Sequence, residues 1–178
     1  MVAQLQTPTL SLTKPKSYTV DGLVQVFTSS GRSFFTNVIA QALQIAAQGR
    51  PVLVVQFLKG GINQGQQHPI KLVQHLHWVR CNLRSFVDNS ELEEAEKNTL
   101  LDLWQYTQKA ILSGRYSLVV LDELSLAIKF GFIPEQEVLN LLQKRPHHVD
   151  IILTGPEMPI TFLEFADQVT EIRRSYIP

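Results

Sequence analysis

Short apolar runs alternate with amphipathic stretches from residue 21 to the end of the chain. The apolar runs are rich in β-branched residues and nearly continuous, which is typical of strands buried on both faces. They lie at 22–28, 51–58, 76–80, 116–121, 149–154 and 168–172. The stretches between them have apolar residues three and four positions apart, which predicts helices. These lie at 34–48, 69–74, 90–113, 124–130, 134–145 and 160–166.

Strands separated by helices predict the α/β class, with a parallel-rich central sheet that is flanked by helices on both faces. Two helix starts carry local signals: Ser90 and Glu93 form a capping-box pattern, and Pro134 stands at a first-turn position. Eight strand residues are expected to be buried in the core. They are Val24, Val26, Val52, Val54, Leu118, Val120, Ile151 and Leu153.

Length and composition indicate one domain. The chain has 178 residues, of which 44% are hydrophobic, so we expect a single α/β domain at 21–178 after a polar, flexible tail at 1–20. Sixteen basic and sixteen acidic residues balance to zero net charge, which argues against a nucleic-acid partner. The single cysteine, Cys81, excludes an internal disulfide and fits a cytoplasmic, reducing compartment. Residues 1–20 lack a signal-peptide pattern, and no run approaches the ~18 apolar residues that span a bilayer, so no membrane association is expected.

Polar and small residues follow several predicted strands. Because the carboxyl ends of parallel strands meet at one edge, where α/β proteins bind ligands, we expect these residues to line a common site. They are Gln56, Lys59, Asp122, Glu123, Thr154 and Gly155. An apolar strand that ends in Asp-Glu has the form of a Walker B segment, whose Asp holds Mg²⁺ and whose Glu orients a nucleophile. The alternative, in which Asp122 caps the following helix, fits the pattern equally well.

The first strand leads into a polar loop and then a helix, which is the setting of a phosphate-binding P-loop, GxxxxGK[ST]. The loop consists of Ser29, Ser30, Gly31, Arg32, Ser33, Phe34, Phe35 and Thr36. In a working P-loop, glycines let amides converge on phosphate, the lysine contacts it, and the Ser/Thr hydroxyl binds Mg²⁺. This loop has one glycine and no lysine. Adjacent phenylalanines at a helix start cost about 25 cal/mol per Å² of apolar surface left in water. We therefore expect both to pack inward or against a neighbouring element and to fill the space of a triphosphate.

Six segments of the chain resemble the ATP:corrinoid adenosyltransferases of the P-loop class, which transfer adenosyl from ATP to a reduced corrinoid such as cob(I)alamin. Family members typically read VFTGNGKGKTT, VQFIKG, VVLDEL, ARPGH, IITGR and LADxVSELR in this order. The corresponding segments here are VFTSSGRSFFT (26–36), VQFLKG (55–60), VVLDEL (119–124), KRPH (144–147), IILTG (151–155) and FADQVTEIR (165–173). The resemblance implies a P-loop NTPase (RecA-like) architecture and a homodimer.

The departures from the family pattern are concentrated in the phosphate loop. Ser29 and Ser33 replace glycines, Phe34 stands at the lysine, and Phe35 stands at the Mg²⁺-ligating threonine. The segment 84–87, which corresponds loosely to an aromatic loop that shapes the corrinoid site, lacks the family's Trp.

We therefore interpret the chain as a non-catalytic relative that serves as a binding, scaffold or regulatory module, with no cofactor and no assigned catalytic residue. The resemblance marks Asp122 and Glu123 as the family-equivalent positions, with Asp122 a Mg²⁺ ligand only if a nucleotide binds. The first alternative is an active adenosyltransferase that uses Mg-ATP and a corrinoid, with Arg32 and Lys59 in place of the lysine. The second is a pocket for an anion, or for a nucleotide without a triphosphate, at the same edge.

Overall fold

The computed structural model describes residues 21–60, 65, 67, 69–71 and 73–173. The predicted tail at 1–20 and the last five residues of the predicted domain lie outside the described residues. The strands are β1 (Val24–Ser29), β2 (Val52–Gln56), β3 (Ile70–Lys71), β4 (Leu76–Arg80), β5 (Leu118–Asp122), β6 (Asp150–Pro156) and β7 (Gln168–Ile172). The helices are α1 (Thr36–Ala47), α2 (Glu94–Leu112), α3 (Leu124–Lys129), α4 (Glu135–Lys144) and α5 (Ile160–Phe165).

The described strands form one sheet in the order β3-β4-β2-β5-β6-β1-β7. Every neighbouring pair is parallel except the short β3, which runs antiparallel to β4 at one edge. The parallel register places Gln56 beside Asp122 and Thr28 beside Gly155. The predicted parallel-rich α/β fold is confirmed. The polar loops that follow β1, β2, β5 and β6 lie together at the carboxyl edge of the sheet.

Alternating strand positions build two cores, one on each face of the sheet. On one face, Val52 and Val54 of β2 pack in a cluster with α1. On the other, Leu53 and Val55 pack in a cluster that includes residues of α2, α3, α4 and α5. All eight strand residues that were expected in the core are buried. Both faces of the central strands are therefore covered, which explains their nearly continuous apolar character. The edge strand β7 departs from this expectation, since all five of its residues are exposed.

Three local predictions were wrong. The helix expected at 69–74 does not form at Ile70 and Lys71, which pair with β4 because an exposed sheet edge offers them backbone partners. The capping box forms one turn later than expected: Glu93 is the N-cap of α2, and its N–H donates to Glu96 Oε2 at 3.3 Å. Pro134 is the N-cap of α4 and not its first residue. Among the described residues, no helix has the length and apolarity that a membrane span requires.

Candidate functional site

The strand β5 ends at a buried carboxylate, Asp122, that is engaged on both oxygens. Thr154 Oγ1 donates to Oδ1 at 2.7 Å, while Gln56 Nε2 and Lys59 Nζ each donate to Oδ2 at 2.7 Å. Only 4% of Asp122 is exposed, so these bonds offset the cost of burying its charge. Because all three donors are side chains on other segments, the alternative in which Asp122 caps the following helix is wrong.

A second layer of donors holds the amide of Gln56, which is fully buried. Its Oε1 accepts hydrogen bonds from Trp78 Nε1 at 2.9 Å and from Arg80 Nε at 2.6 Å. These contacts fix the amide so that its Nε2 points at Asp122. The sequence analysis missed Trp78 and Arg80, although the β2–β4 register could have indicated them.

The next residue, Glu123, is the N-cap of α3 and adopts a left-handed φ of 61°. Its carboxylate accepts two bonds from the fork of Arg32, with Nε to Oε1 at 2.6 Å and Nη2 to Oε2 at 2.5 Å. Arg32 also donates from Nη1 to the carbonyl of Val87 at 2.5 Å, and its guanidinium lies 3.4 Å from the ring centroid of Phe86. The phosphate loop is thereby bound both to β5 and to the segment around residue 87.

The loop itself forms the predicted strand–loop–helix turn between β1 and α1. Phe35 is 2% exposed and meets Phe27 edge-on at 6.5 Å, as expected. Phe34, which was expected to pack inward or against a neighbouring element, does not pack inward: it is 53% exposed and lines the cavity described below, and the ammonium of Lys59 lies 4.9 Å from its ring centroid. Only one of the two neighbouring rings reaches the core beside α1; the other lies on the surface.

An open cavity of about 360 Å³ lies in front of these ion pairs. It is lined by Arg32, Ser33, Phe34, Lys59, Phe86 and Glu123. Gly155, the last of the predicted site residues, lies against Ser125 of α3 and outside the lining of this cavity: its φ is +140°, and an added Cβ would lie 2.1 Å from Ser125 Oγ. Thr28 Oγ1 donates to its carbonyl at 2.9 Å. The structure therefore places all of the predicted pocket residues at one edge of the sheet.

Other reactive side chains serve the fold. Cys81 is buried, and burial raises the pKa of its thiol to about 12, which fits a packing role. His77 Nδ1 lies 2.9 Å from the hydroxyl of Tyr116. Among the described residues no three His, Cys, Asp or Glu side chains converge as metal ligands.

A parallel sheet with a β1–loop–α1 turn and an acidic pair at the end of β5 defines an α/β protein of the P-loop NTPase type. The family model described as ATP:corrinoid adenosyltransferase BtuR/CobO/CobP matches residues 20–176, and the chain belongs to this family.

Corrinoid adenosyltransferases are among its curated relatives. The Escherichia coli (strain K12) protein is 28% identical over 152 residues, which cover 85% of this chain and 76% of that protein. The Salmonella typhimurium protein is 29% identical over the same shares of both chains. An uncharacterised protein of Nostoc is 25% identical over 74% of this chain and 38% of its own length.

The site does not fit the Mg²⁺ ion that the resemblance implies. The carboxylate of Asp122 is engaged by an ammonium, and Glu123 is engaged by a guanidinium. Phe35, which the resemblance places at the family's metal-binding hydroxyl, is a buried ring without an oxygen. Among the residues that the structure describes, both carboxylates at the end of β5 are thus paired with basic side chains.

Proposed function

We propose that this chain is a non-catalytic member of its family, which acts as a binding, regulatory or scaffold module, assembles as a homodimer and does not process Mg-ATP. The proposal rests on the positions and the burial of Phe34 and Phe35. Phe35 is built into the core, and Phe34 places an apolar ring at the position where the family has its lysine. The loop therefore offers no ammonium at position 34 and no hydroxyl at position 35.

The magnitude of this loss is large compared with the affinity of a nucleotide site. Hydrogen bonds to charged groups contribute about 1.5–3 kcal/mol each. Losing two of them weakens binding by a factor on the order of 10²–10⁴, because each 1.4 kcal/mol is a factor of ten. A helix start favours an anion, but the N–H groups of Thr36 and Val38 in the first turn of α1 already donate to the carbonyls of Phe34 and Phe35 at 3.2 and 3.1 Å. Weak, metal-independent binding of phosphate is compatible with the proposal.

The alternative, an active transferase in which Arg32 and Lys59 replace the lysine, receives less support from the geometry. Arg32 directs its fork at Glu123, and Lys59 directs its ammonium at Asp122. A triphosphate would have to compete with two nearly buried carboxylates for these cations. The fold that surrounds the site is intact, which suits a module that binds a partner without turning over ATP.

Calorimetric titration of the wild-type protein with Mg-ATP tests the proposal. We expect a Kd weaker than about 1 mM, the scale of a few weak contacts. A micromolar, Mg²⁺-dependent affinity would overturn the proposal in favour of the transferase. Transfer of adenosyl to cob(I)alamin, with the Escherichia coli corrinoid adenosyltransferase as positive control, gives a second readout. Sedimentation at micromolar concentration tests the homodimer, and a monomer there would contradict it.

The variant Phe34→Lys/Phe35→Thr separates the two roles of the loop in the same titration. We expect a lower melting temperature, because a buried ring is lost, together with measurable affinity for ATP. The matched control is Phe34→Lys alone, which keeps Phe35 in the core and should melt within about 2 °C of the wild type, since surface substitutions change stability little.

A further inference from the structure

We propose that the outer edge of β7 is the dimer interface of this chain, where β7 pairs antiparallel with β7 of a second copy across a two-fold axis at Ile172. The inference rests on the homodimer of the proposed function and deepens it by naming the surface and its register. The sheets of the two protomers then join into one continuous sheet, with Glu171 of each protomer opposite Arg173 of the other.

The strand β7 lies at the edge of the sheet beside β1, and its outer edge has no partner strand among the described residues. All five of its residues are exposed, whereas every residue of β2 and β5 is buried. Two of the exposed side chains are apolar, Val169 at 47% and Ile172 at 38%. They project from opposite faces, because side chains alternate along a strand. An uncovered strand edge of this kind is a template for pairing with another strand.

The charges at the end of β7 are complementary to those of a second copy. Glu171 and Arg173 are two positions apart and share one face, and Arg173 Nη2 donates to Glu171 Oε2 at 2.7 Å. With the two-fold axis at Ile172, each carboxylate meets a second guanidinium, which comes from the copy. An axis at Glu171 would instead place two glutamates opposite one another, which is destabilising. The charges therefore favour the axis at Ile172.

A cavity of about 270 Å³ on the same face of β7 suits a long basic side chain from the copy. Its lining includes the carboxylate of Glu171 and the apolar side chains of Met158, Leu163 and Val169. An arginine packs its apolar stem on such a surface and keeps its guanidinium beside the carboxylate. Arg173 of the copy, opposite Glu171, has this chemistry. Because a two-fold interface uses the same patch on both subunits, each protomer makes this contact once.

The segment at 1–20 is the alternative occupant within the same chain. It has two lysines, Lys14 and Lys16, and no acidic residue. Such a segment complements Glu171 but brings no opposite charge to Arg173, whereas a second copy complements both. The charges at the end of β7 therefore favour a second copy as the occupant of this edge.

Charge reversal tests the pairing by sedimentation velocity. Glu171→Arg and Arg173→Glu each place like charges opposite one another, and Glu171→Arg/Arg173→Glu restores opposite signs. We expect each single variant to raise the Kd of the dimer at least about tenfold, and the double variant to recover most of this loss. The matched control, Asp102→Arg, makes an equal charge change at an exposed position of α2 and should sediment like the wild type. All of these side chains are exposed, so melting temperatures should stay within about 2 °C of the wild type.

Engineered cysteines test the position of the axis. Ile172→Cys places the two new thiols directly opposite one another, with Cα atoms about 4.5–5.5 Å apart, which permits a disulfide after mild oxidation. The control is Thr170→Cys, whose two copies lie about 13 Å apart along the strands, too far for a disulfide. The native Cys81 is buried. Electrophoresis without reductant should show a covalent dimer for Ile172→Cys alone.

The inference is overturned if the wild-type dimer is insensitive to both charge reversals, the result expected if residues 1–20 or another protein occupied β7. It is also overturned if Thr170→Cys forms the covalent dimer and Ile172→Cys does not, since the axis then lies elsewhere. A monomeric wild-type protein would contradict the homodimer and this inference together. The non-catalytic role is tested separately by the nucleotide titration, which does not depend on β7.

Discussion

The phosphate loop and the end of β5 lie at the same edge of the sheet, yet they depart from the family pattern to very different extents. The segment at 119–124 reads VVLDEL, as the resemblance leads us to expect, whereas in the loop at 29–36 we interpret two serines and two phenylalanines as replacements of the family's glycines, lysine and metal-binding threonine. Asp122 and Glu123 are buried and satisfy donors from four other segments of the chain. Replacing either would leave Lys59 or Arg32 without its partner.

In the phosphate loop, Ser29 and Phe34 have fewer contacts with distant parts of the chain. Ser29 Oγ donates to the carbonyl of Gly31 at 2.6 Å, within the loop, and Phe34 extends into solvent. A lysine that contacts only a ligand can be replaced with little effect on the rest of the fold, which is how we interpret Phe34. We expect a substitution to destabilise the fold more where the side chain contacts other parts of the chain than where it would contact a ligand alone. The following substitutions test this difference between the two regions.

The largest expected effect comes from Phe35→Ala. Removing a buried aromatic ring costs about 3–5 kcal/mol in transfer free energy and cavity formation. Urea denaturation should show this loss of unfolding free energy. A loss of unfolding free energy below about 1 kcal/mol would mean that Phe35 does not belong to the core. The fold would then tolerate substitution at this position of the loop as well.

Arg32→Ala should have the next largest effect, at the end of β5. It removes the guanidinium that donates two hydrogen bonds to the buried carboxylate of Glu123. Breaking a buried ion pair costs about 3–5 kcal/mol of unfolding free energy. Because Arg32 is 22% exposed and solvent screens part of the interaction, we expect a loss of about 2–3 kcal/mol. The control is Arg32→Ala/Glu123→Gln, which should recover most of the loss in urea denaturation. Equal instability of both variants would show that packing on Phe86, and not charge, makes Arg32 important.

The smallest effect is expected for Phe34→Ala, which applies the same chemistry as Phe35→Ala one residue earlier. The ring of Phe34 is half exposed, and its contact with Lys59 contributes about 0.5–1 kcal/mol at most. Unfolding free energy should fall by less than about 1 kcal/mol. A loss of unfolding free energy close to that of Phe35→Ala would contradict the expected difference between the two rings. It would indicate that a partner element covers Phe34.

Much of the fold was predictable, because strand and helix periods are local. The limits of β7 at 168–172 agree with the prediction, although all five residues are exposed and not buried on both faces as the apolar runs indicated. The short strand β3 was not predictable from its own residues. It exists because the edge of β4 offers backbone partners, and a two-residue strand has no periodicity of its own.

The sequence by itself determined which residues meet at the carboxyl edge, because a parallel sheet brings its strand ends together whatever their side chains are. Only the tertiary structure decided how these residues pair. Lys59 meets Asp122 across 63 residues of chain, and Arg32 meets Glu123 across 91. Long side chains can reach several neighbours, so their partners depend on the positions of whole loops, which no local pattern encodes. The burial of Phe34 and Phe35 was likewise decided by the tertiary structure. Phe35 packs in the core cluster that includes α1, whereas the adjacent Phe34 lies on the surface.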